Sequence, residues 1–172
     1  MELVEGTVTV GGERFPDTDA FVDALGAVGD EHGVTVQAFD ARLVVSARHL
    51  GRALELADRE RARGDGIARD RAVEVLLYAA GRRQIRRALA MGVGEGETPA
   101  VVLVAAAPDG SGDEAAAAAA VGDLLASRPT LGEYDPERVR DFFGIGEREL
   151  AATDATLADL VLERVALLVV ER

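Results

Sequence analysis

Apolar positions recur along this 172-residue chain with two periods, which predict alternating strands and helices. Leu3 to Val10 alternates as a half-buried strand does, whereas residues 100–106 (AVVLVAA) form an unbroken apolar run. Such a run is typical of a strand buried on both faces, so it is expected at the centre of a sheet. Two short strands at 34–39 and 43–45 are predicted to form a hairpin through Asp40-Ala41.

Helical spacing of apolar residues, preceded by capping side chains, predicts the helices between these strands. Their predicted starts follow Asp17 or Thr18, Ser46, Asp70, Asp113, Asp135 and Thr156, and their predicted ends lie near His32, Arg63, Gly81, Ser127, Gly144 and Val170. The pattern indicates an α/β (α+β) fold in one domain over residues 1–172. A small mixed sheet of about three to five strands is expected, covered by about seven to eight helices.

The segment Asp70–Met91 is unusual, because an apolar helix is followed by a glycine and then by a cluster of arginines. The cluster consists of Arg82, Arg83, Arg86 and Arg87. If a second helix starts near Arg82, the arginines form two i,i+4 pairs of like charge, which destabilise an isolated helix slightly. A negatively charged partner would remove that repulsion. The alternative is that these arginines pair with carboxylates elsewhere in the chain.

Charge is distributed unevenly along the chain. The net charge is −12 and all 19 basic residues are arginine, a composition typical of a protein from a salt-loving organism. Residues 41–91 nevertheless hold 12 Arg against 6 Asp+Glu, a local balance of +6, while the remaining 7 Arg and 25 Asp+Glu give −18. This asymmetry predicts one face that binds an anion.

Catalytic chemistry has little support in the sequence. Without lysine there is no Walker, kinase or Schiff-base lysine, and without cysteine there is no thiol nucleophile or thiolate zinc site. His32 is interpreted as structural, and His49, in an arginine-rich helix, as a surface residue that could touch phosphate. We therefore expect no enzyme activity, no cofactor and no metal. The N-terminus lacks a signal peptide and no apolar run reaches membrane-spanning length, so a cytoplasmic protein is expected.

The last predicted helix is apolar on more than one side. Leu157, Leu160, Val161, Val165 and Leu168 form one stripe, and Leu162, Leu167, Val169 and Val170 extend it around the helix. One core rarely buries every side of a terminal helix, so the second set is predicted to meet a partner protein. The first predicted helix is expected to lie beside it in the same docking face. The alternative is a helix inserted deep between the sheet and its neighbours.

The segment from Glu74 to Ala88 (EVLLYAAGRRQIRRA) resembles a known family. It is similar to the small regulatory subunit of the KEOPS complex, the archaeal relative of the eukaryotic PRPK-binding protein (TPRKB). The order of a strand and helix, the central motif, a Val-rich strand and a C-terminal helix agrees as well. By this resemblance an archaeon is the expected source, and the composition indicates a salt-loving one.

The resemblance implies a non-catalytic subunit that binds and stimulates the kinase-like ATPase of KEOPS. That complex places threonylcarbamoyl on the adenosine next to the anticodon of tRNAs that read codons beginning with A. The family's archaeal members also bind tRNA, including its 3′ CCA end. The expected tRNA-binding residues are Arg82, Arg83, Gln84, Arg86 and Arg87. The other hypothesis is a stand-alone regulatory domain whose arginines hold a nucleotide or an acidic metabolite.

Overall fold

Strands and helices alternate along the chain, and the computed structural model describes residues 1–171. The strands are β1 (Glu2–Val10), β2 (Val34–Asp40), β3 (Gly96–Ala106) and β4 (Ala126–Ser127). The helices are α1 (Thr18–His32), α2 (Ala47–Arg63), α3 (Arg71–Ala80), α4 (Ile85–Ala88), α5 (Glu114–Gly122), α6 (Pro136–Phe143), α7 (Glu147–Ala151) and α8 (Leu157–Leu167). Four strands and eight α-helices within the described part of the chain confirm the predicted α+β class.

Two compact units divide these elements between them. The first comprises residues 1–41 and 92–130 and contains all four strands with α1 and α5. The second comprises residues 42–91 and the chain from Leu131 onwards, and contains the other six helices. The single domain expected from chain length stays a prediction.

The sheet of the first unit has the strand order β2-β3-β1-β4, and its ladders are all antiparallel, which refines the mixed sheet predicted. The apolar strand β3 lies between two partners, and residues 101–104 are fully buried, so its predicted central place is confirmed. β4 pairs with β1 only at Gly6 and Thr7. A Cβ at Gly6 would lie 2.6 Å from the carbonyl oxygen of Ala126, so glycine allows this close pairing.

Helices α1 and α5 cover the sheet of this unit. Phe21 and Leu25 of α1 and Val121 of α5 belong to one buried cluster with Val8 and Val102 of the strands. Burying side chains of this size contributes roughly 1.5–3 kcal/mol each relative to exposure, so the cluster is the main source of stability in this unit.

Capping side chains begin α2 and α3 of the second unit. The Ser46 hydroxyl accepts from the N–H of His49 at 3.1 Å, and the Asp70 carboxylate accepts from the N–H of Val73 at 3.0 Å. Each satisfies a donor that the first turn of a helix leaves without a partner. Helices α2 and α3 then pack on each other, and α8 packs on both.

Three predicted boundaries are wrong. Residues 43–45 are not a strand, because Leu43 ends a 3-10 turn, Ala41–Leu43, and the N–H of Val45 donates to a His49 ring nitrogen at 3.3 Å. That backbone donor is therefore not available to a ladder. The alanine-rich helix α5 ends at Gly122 rather than near Ser127, since the following residues turn into β4. Helix α8 ends at Leu167, three residues early.

Within residues 1–171 no helix has the length and apolarity needed to span a bilayer.

Candidate functional site

The arginine motif lies on a connector between α3 and α4. Helix α3 ends at Gly81, which adopts the left-handed conformation at φ 60°, as predicted. The next N–H, of Arg82, donates to the carbonyl of Leu77 at 3.0 Å and closes the helix end. Helix α4 then begins at Ile85, not near Arg82. The predicted i,i+4 pairs within one helix are therefore wrong, because Arg82 and Arg83 precede the helix. We call residues 81–84 the connector.

Arg82 is held by the second unit itself. Its guanidinium donates a hydrogen bond to the carbonyl of Phe142 and lies 5.8 Å from the centroid of the Phe142 ring. The side chain is only half-exposed. Arg82 thus joins the connector to the end of α6. It therefore has a structural role in addition to its predicted role as a tRNA-binding residue.

Three other arginines of the motif have no such contacts. Arg83, Arg86 and Arg87 are exposed, and within residues 1–171 none of them has a carboxylate oxygen within 4.0 Å. We call these three residues the exposed arginine cluster. The alternative drawn from the sequence, that the motif arginines pair with carboxylates of the chain, is therefore not what the described residues show.

The surroundings of this cluster combine polar and apolar groups. Gln84 is exposed beside it, and Ile85 and Leu89 are 48% and 58% exposed although they are large and apolar. Ala88 and Met91, on the other side of the same short segment, are fully buried. The segment is thus anchored on one side, and its other side presents guanidinium groups next to apolar side chains.

The backbone beneath the connector is packed tightly on α8. A Cβ at Gly81 would lie 3.3 Å from the carbonyl oxygen of Arg164. Arg164 in turn donates to both carboxylate oxygens of Glu149, at 2.8 and 2.7 Å, and to the carbonyl of Phe143 at 3.2 Å. The hydrogen bonds from Arg164 lower the pKa of the Glu149 carboxyl below its ordinary value. Helices α3, α6, α7 and α8 therefore converge on the base of the connector.

A pocket of about 200 Å³ lies beside the connector. It is lined by Gly81, Arg82, Arg83, Gln84, Arg87 and Glu171. The sequence alone did not point to Glu171, because an acidic residue near the chain end carries no signal in a chain with 31 acidic residues. Only the fold brings it next to the motif.

Helix α8 separates its apolar residues into two sets, as predicted. Leu160, Val161, Val165 and Leu168 are buried, so they are core residues of the second unit. Of the four predicted partner-binding residues, Leu167 is 39% and Val170 72% exposed, and Leu162 and Val169 are half-buried. Val169 and Val170 follow the end of the helix. The excess apolar residues are thus accessible rather than inserted deep in the core.

A groove follows the line where α8 packs on α2. Its lining comprises Arg48 and Arg52 of α2 and Asp159, Leu162, Glu163 and Ala166 of α8, around a volume of about 340 Å³. The two helices thus place opposite charges on the two sides of one apolar strip. A capping box at the start of α8, in which the N–H of Thr156 donates to Asp159 at 2.9 Å, lowers the pKa of that carboxyl. We call this feature the α2–α8 groove.

His49 is not a surface residue, which corrects the sequence interpretation. It is fully buried, one ring nitrogen lies 2.8 Å from the carbonyl of Ala79, and the other accepts from the N–H of Val45. The ring is therefore neutral, with its N–H directed at Ala79. Burial lowers the pKa of His49 from 6.5 to about 4, since a charged imidazolium is poorly solvated there. His49 joins α2 to α3 and does not face phosphate.

A known protein family matches most of this chain. The family described as Kinase binding protein CGI-121 matches residues 25–168, which include α3, the connector and all of α8. The comparison with curated proteins gives no match. The predicted relationship to the PRPK-binding (TPRKB) proteins is thereby confirmed. Since the match covers most of its length, this chain belongs to the CGI-121 family of kinase-binding proteins.

Proposed function

We propose that this chain is a non-catalytic subunit of the KEOPS complex, which binds and stimulates the kinase-like ATPase subunit and also binds the 3′ CCA end of tRNA. Membership of a kinase-binding family supports the first part. The observation that carries the second part is the exposed arginine cluster, which has no carboxylate partner among the described residues. Three neighbouring positive charges in a chain of net charge −12 favour an anionic ligand.

Single-stranded RNA suits this surface better than a simple anion does. Guanidinium groups neutralise phosphates, and their planes also stack on unpaired bases. Ile85 and Leu89 add exposed apolar area next to the arginines, where a base edge or ring can be covered. A surface built for free phosphate would need only the charges. We therefore assign the RNA contacts to Arg83, Gln84, Arg86 and Arg87. Arg82 is a fixed part of the pocket lining beside them.

Charge reversal tests the tRNA part. We expect Arg83→Glu/Arg86→Glu to reduce tRNA affinity at least about tenfold in a filter-binding assay at low salt, because two phosphate contacts become repulsive. The fold should not change, since neither side chain has a partner to lose. The matched control is Arg14→Glu/Arg69→Glu, which makes the same change in net charge at two other exposed arginines. Arg69 precedes α3, so the length of that helix, about 15 Å, separates it from the connector.

Several outcomes of this assay are informative. Unchanged affinity of the double variant, or an equal loss in the control, contradicts the assignment of tRNA to the exposed arginine cluster. Saturable binding of ATP or another free nucleotide through the same arginines, without tRNA binding, supports the stand-alone regulatory domain instead. Calorimetric titration with ATP, with tRNA and with an unrelated polyanion separates these cases.

The kinase-like subunit is assigned to α8. The supporting observation is the exposure of Leu167 and Val170, two of only six large apolar residues exposed within residues 1–171. The α2–α8 groove extends this surface with charges of both signs, which suits an amphipathic helix of the partner. Truncating an apolar anchor at the centre of an interface costs about 2 kcal/mol or more, whereas substitutions at exposed positions outside it cost little.

Substitutions on α8 test this assignment. We expect Leu167→Asp and Val170→Asp to weaken binding of the kinase-like subunit at least about tenfold and to reduce stimulation of its ATPase, while tRNA binding persists. Leu89→Asp is the control, since Leu89 is 58% exposed and lies beside the exposed arginine cluster rather than on α8. Surface plasmon resonance with the purified partner gives the affinity, and circular dichroism checks the fold. Full-strength binding by folded α8 variants places the docking surface elsewhere.

A further inference from the structure

The outer edge of β1 is covered by β4 for only part of its length. β3 pairs with all nine residues of β1, whereas β4 pairs with it at two positions. The ladder with β4 stops there because the N–H groups of Leu124 and Leu125 donate to carbonyls in the last turn of α5, at 2.9 and 3.2 Å. Among residues 1–171 no strand therefore pairs with residues 8–10 on this side.

A pocket of about 380 Å³ lies along this end of β1, within the first unit. One of its sides is apolar, because Phe15, Leu124 and Leu125 pack there with the buried core of the unit. The other side carries Thr9 and its cross-strand neighbour Glu97. Successive side chains of a strand point to opposite faces, so an extended chain placed along the pocket would meet the apolar side and the polar side in turn.

Two charged groups that line the pocket have no ion-pair partner. Within residues 1–171 no cation lies within 4.0 Å of the Glu97 carboxylate, and no carboxylate lies within 4.0 Å of the Arg14 guanidinium. Arg14 instead lies over the ring of Phe15, with its guanidinium carbon 5.4 Å from the ring centroid. The apolar side thus has a positive charge at its rim and the polar side a negative one. A basic side chain is attracted to the side of Glu97 and repelled from the side of Arg14.

The first unit carries the excess negative charge of the chain. It holds 15 Asp+Glu and 2 Arg, a balance of −13, whereas the second unit holds 17 Arg and 16 Asp+Glu, a balance of +1, and the two give −12. Adaptation to salt would act on both units alike, so it does not explain this difference. The field around the first unit attracts cationic segments and repels anionic ones.

We propose that this pocket binds an extended basic peptide of another protein, which adds to β1 as a further strand beyond the end of β4. Every second residue of the peptide is apolar and packs against Phe15 and the two leucines, and the residues between are basic, one of them beside Glu97. A shift by one residue would bring a basic side chain to Arg14. The recognised feature is therefore an alternating pattern and not charge alone. Residues 8–10 span only about 10 Å, so the binding is weak.

Two peptides of identical composition test the pattern. Both are blocked at their ends; RVRVR alternates, and RRRVV has the same charge without alternation. Titration of the isotopically labelled full chain, followed by NMR, gives the affinity and the location together. We expect RVRVR to bind at least about fivefold more tightly than RRRVV. The largest shift changes should fall on residues 7–10, 97 and 124–126.

Methylation of the peptide backbone separates strand addition from attraction between charges. Backbone N–H groups of successive residues in a strand point to opposite edges, so only every second one can pair with β1. One form of RVRVR carries N-methyl groups on its two valines, and the other carries them on its last two arginines. We expect one form to lose at least about fivefold in affinity and the other to lose much less. Equal losses in the two forms contradict strand addition.

The acidic side of the pocket is tested by Glu97→Gln, which should weaken binding of RVRVR at least about threefold. Its control is Glu31→Gln, which removes the same charge from an exposed position on α1 and should have no effect. Equal losses in both variants would mean that only the charge of the unit matters. Equal affinity for RVRVR and RRRVV, shift changes centred away from β1, or no binding at millimolar peptide would each overturn the proposal.

Discussion

Most arginines of α2 and α3 differ in their surroundings from the arginines of the exposed arginine cluster, although all carry the same charge. Arg71 donates to both carboxylate oxygens of Asp58 at 2.8 Å, and Arg61 donates to the carbonyls of Ala68 and Arg69. The exposed arginine cluster has no carboxylate within ion-pair distance among residues 1–171.

Buried carboxylates complete this contrast. Glu60 is 1% exposed and accepts from Arg59 and Arg63, and the fully buried Glu74 accepts from the N–H groups of Ile67 and Ala68. Near α2 and the start of α3, charge therefore holds the unit together. In the exposed arginine cluster, the charges have no carboxylate partner among the described residues. The local balance of +6 that the sequence shows combines two populations of arginine with different roles.

Lowering the pH should have the largest effect, and it should act through His49 of α2 and not through the arginines. His49 is neutral in the folded state because burial lowers its pKa to about 4, while in the unfolded chain it titrates near 6.5. Its contribution to stability is complete above pH 6.5 and is lost as the pH falls towards 4, because the unfolded state binds the proton first. The loss amounts to about 3 kcal/mol. The arginines stay charged throughout.

Urea unfolding at several pH values measures this effect. The His49→Gln variant, whose amide can still donate to Ala79, should lose less stability over the same interval than the wild type. Glu149 and Asp159, whose pKa values are lowered, contribute mainly below that interval. Equal pH dependence of the two proteins would show that folding does not change the pKa of His49.

A smaller effect is expected from removing one bonded arginine. Arg71→Ala leaves Asp58, which is 25% exposed, without its partner and should lower the free energy of unfolding by about 1–2 kcal/mol. Arg83→Ala should change it by less than about 0.5 kcal/mol, since no contact is lost. Urea denaturation of both variants checks the difference. Similar losses would mean that Arg83 has a structural partner.

The smallest effect concerns salt. Arg86→Ala should reduce the slope of log affinity for tRNA against log salt by about 1, because one phosphate contact and its released counterion are lost. Arg63→Ala should leave the slope unchanged, since Arg63 is bonded to Glu60. Titrations at three or more salt concentrations give the slopes. A slope that changes equally for both variants would contradict the division into two populations.

The sequence predicted those features of the fold that depend on contacts between residues close together in the chain. Asp17, Ser46 and Asp113 cap the helices they were expected to cap, and Gly81 ends α3. The apolar run of β3 and the buried stripe of α8 were also predictable, because periodicity reports burial directly. The motif itself led to the family that the comparison confirms.

Properties that depend on distant residues were not predictable in this way. The burial of His49 depends on the carbonyl of Ala79, 30 residues further along. Which arginines are bonded depends on where Asp58 and Glu60 face after α2 and α3 pack. The contact of Arg82, just before α4, is with the carbonyl of Phe142, 60 residues away. Glu171 enters the pocket only because α8 returns to the connector.

The pairing of β4 with β1 has a consequence for aggregation. β4 covers β1 at only two positions, and a side chain at Gly6 would displace it because of the 2.6 Å approach to Ala126. The edge of β1 would then present unpaired N–H and C=O groups, which recruit strands of other molecules. We expect Gly6→Val to associate with itself in light scattering while retaining its helices. Gly6 lies far from the proposed tRNA-binding and kinase-binding surfaces in the sequence, and we expect its replacement to be seen first as turbidity.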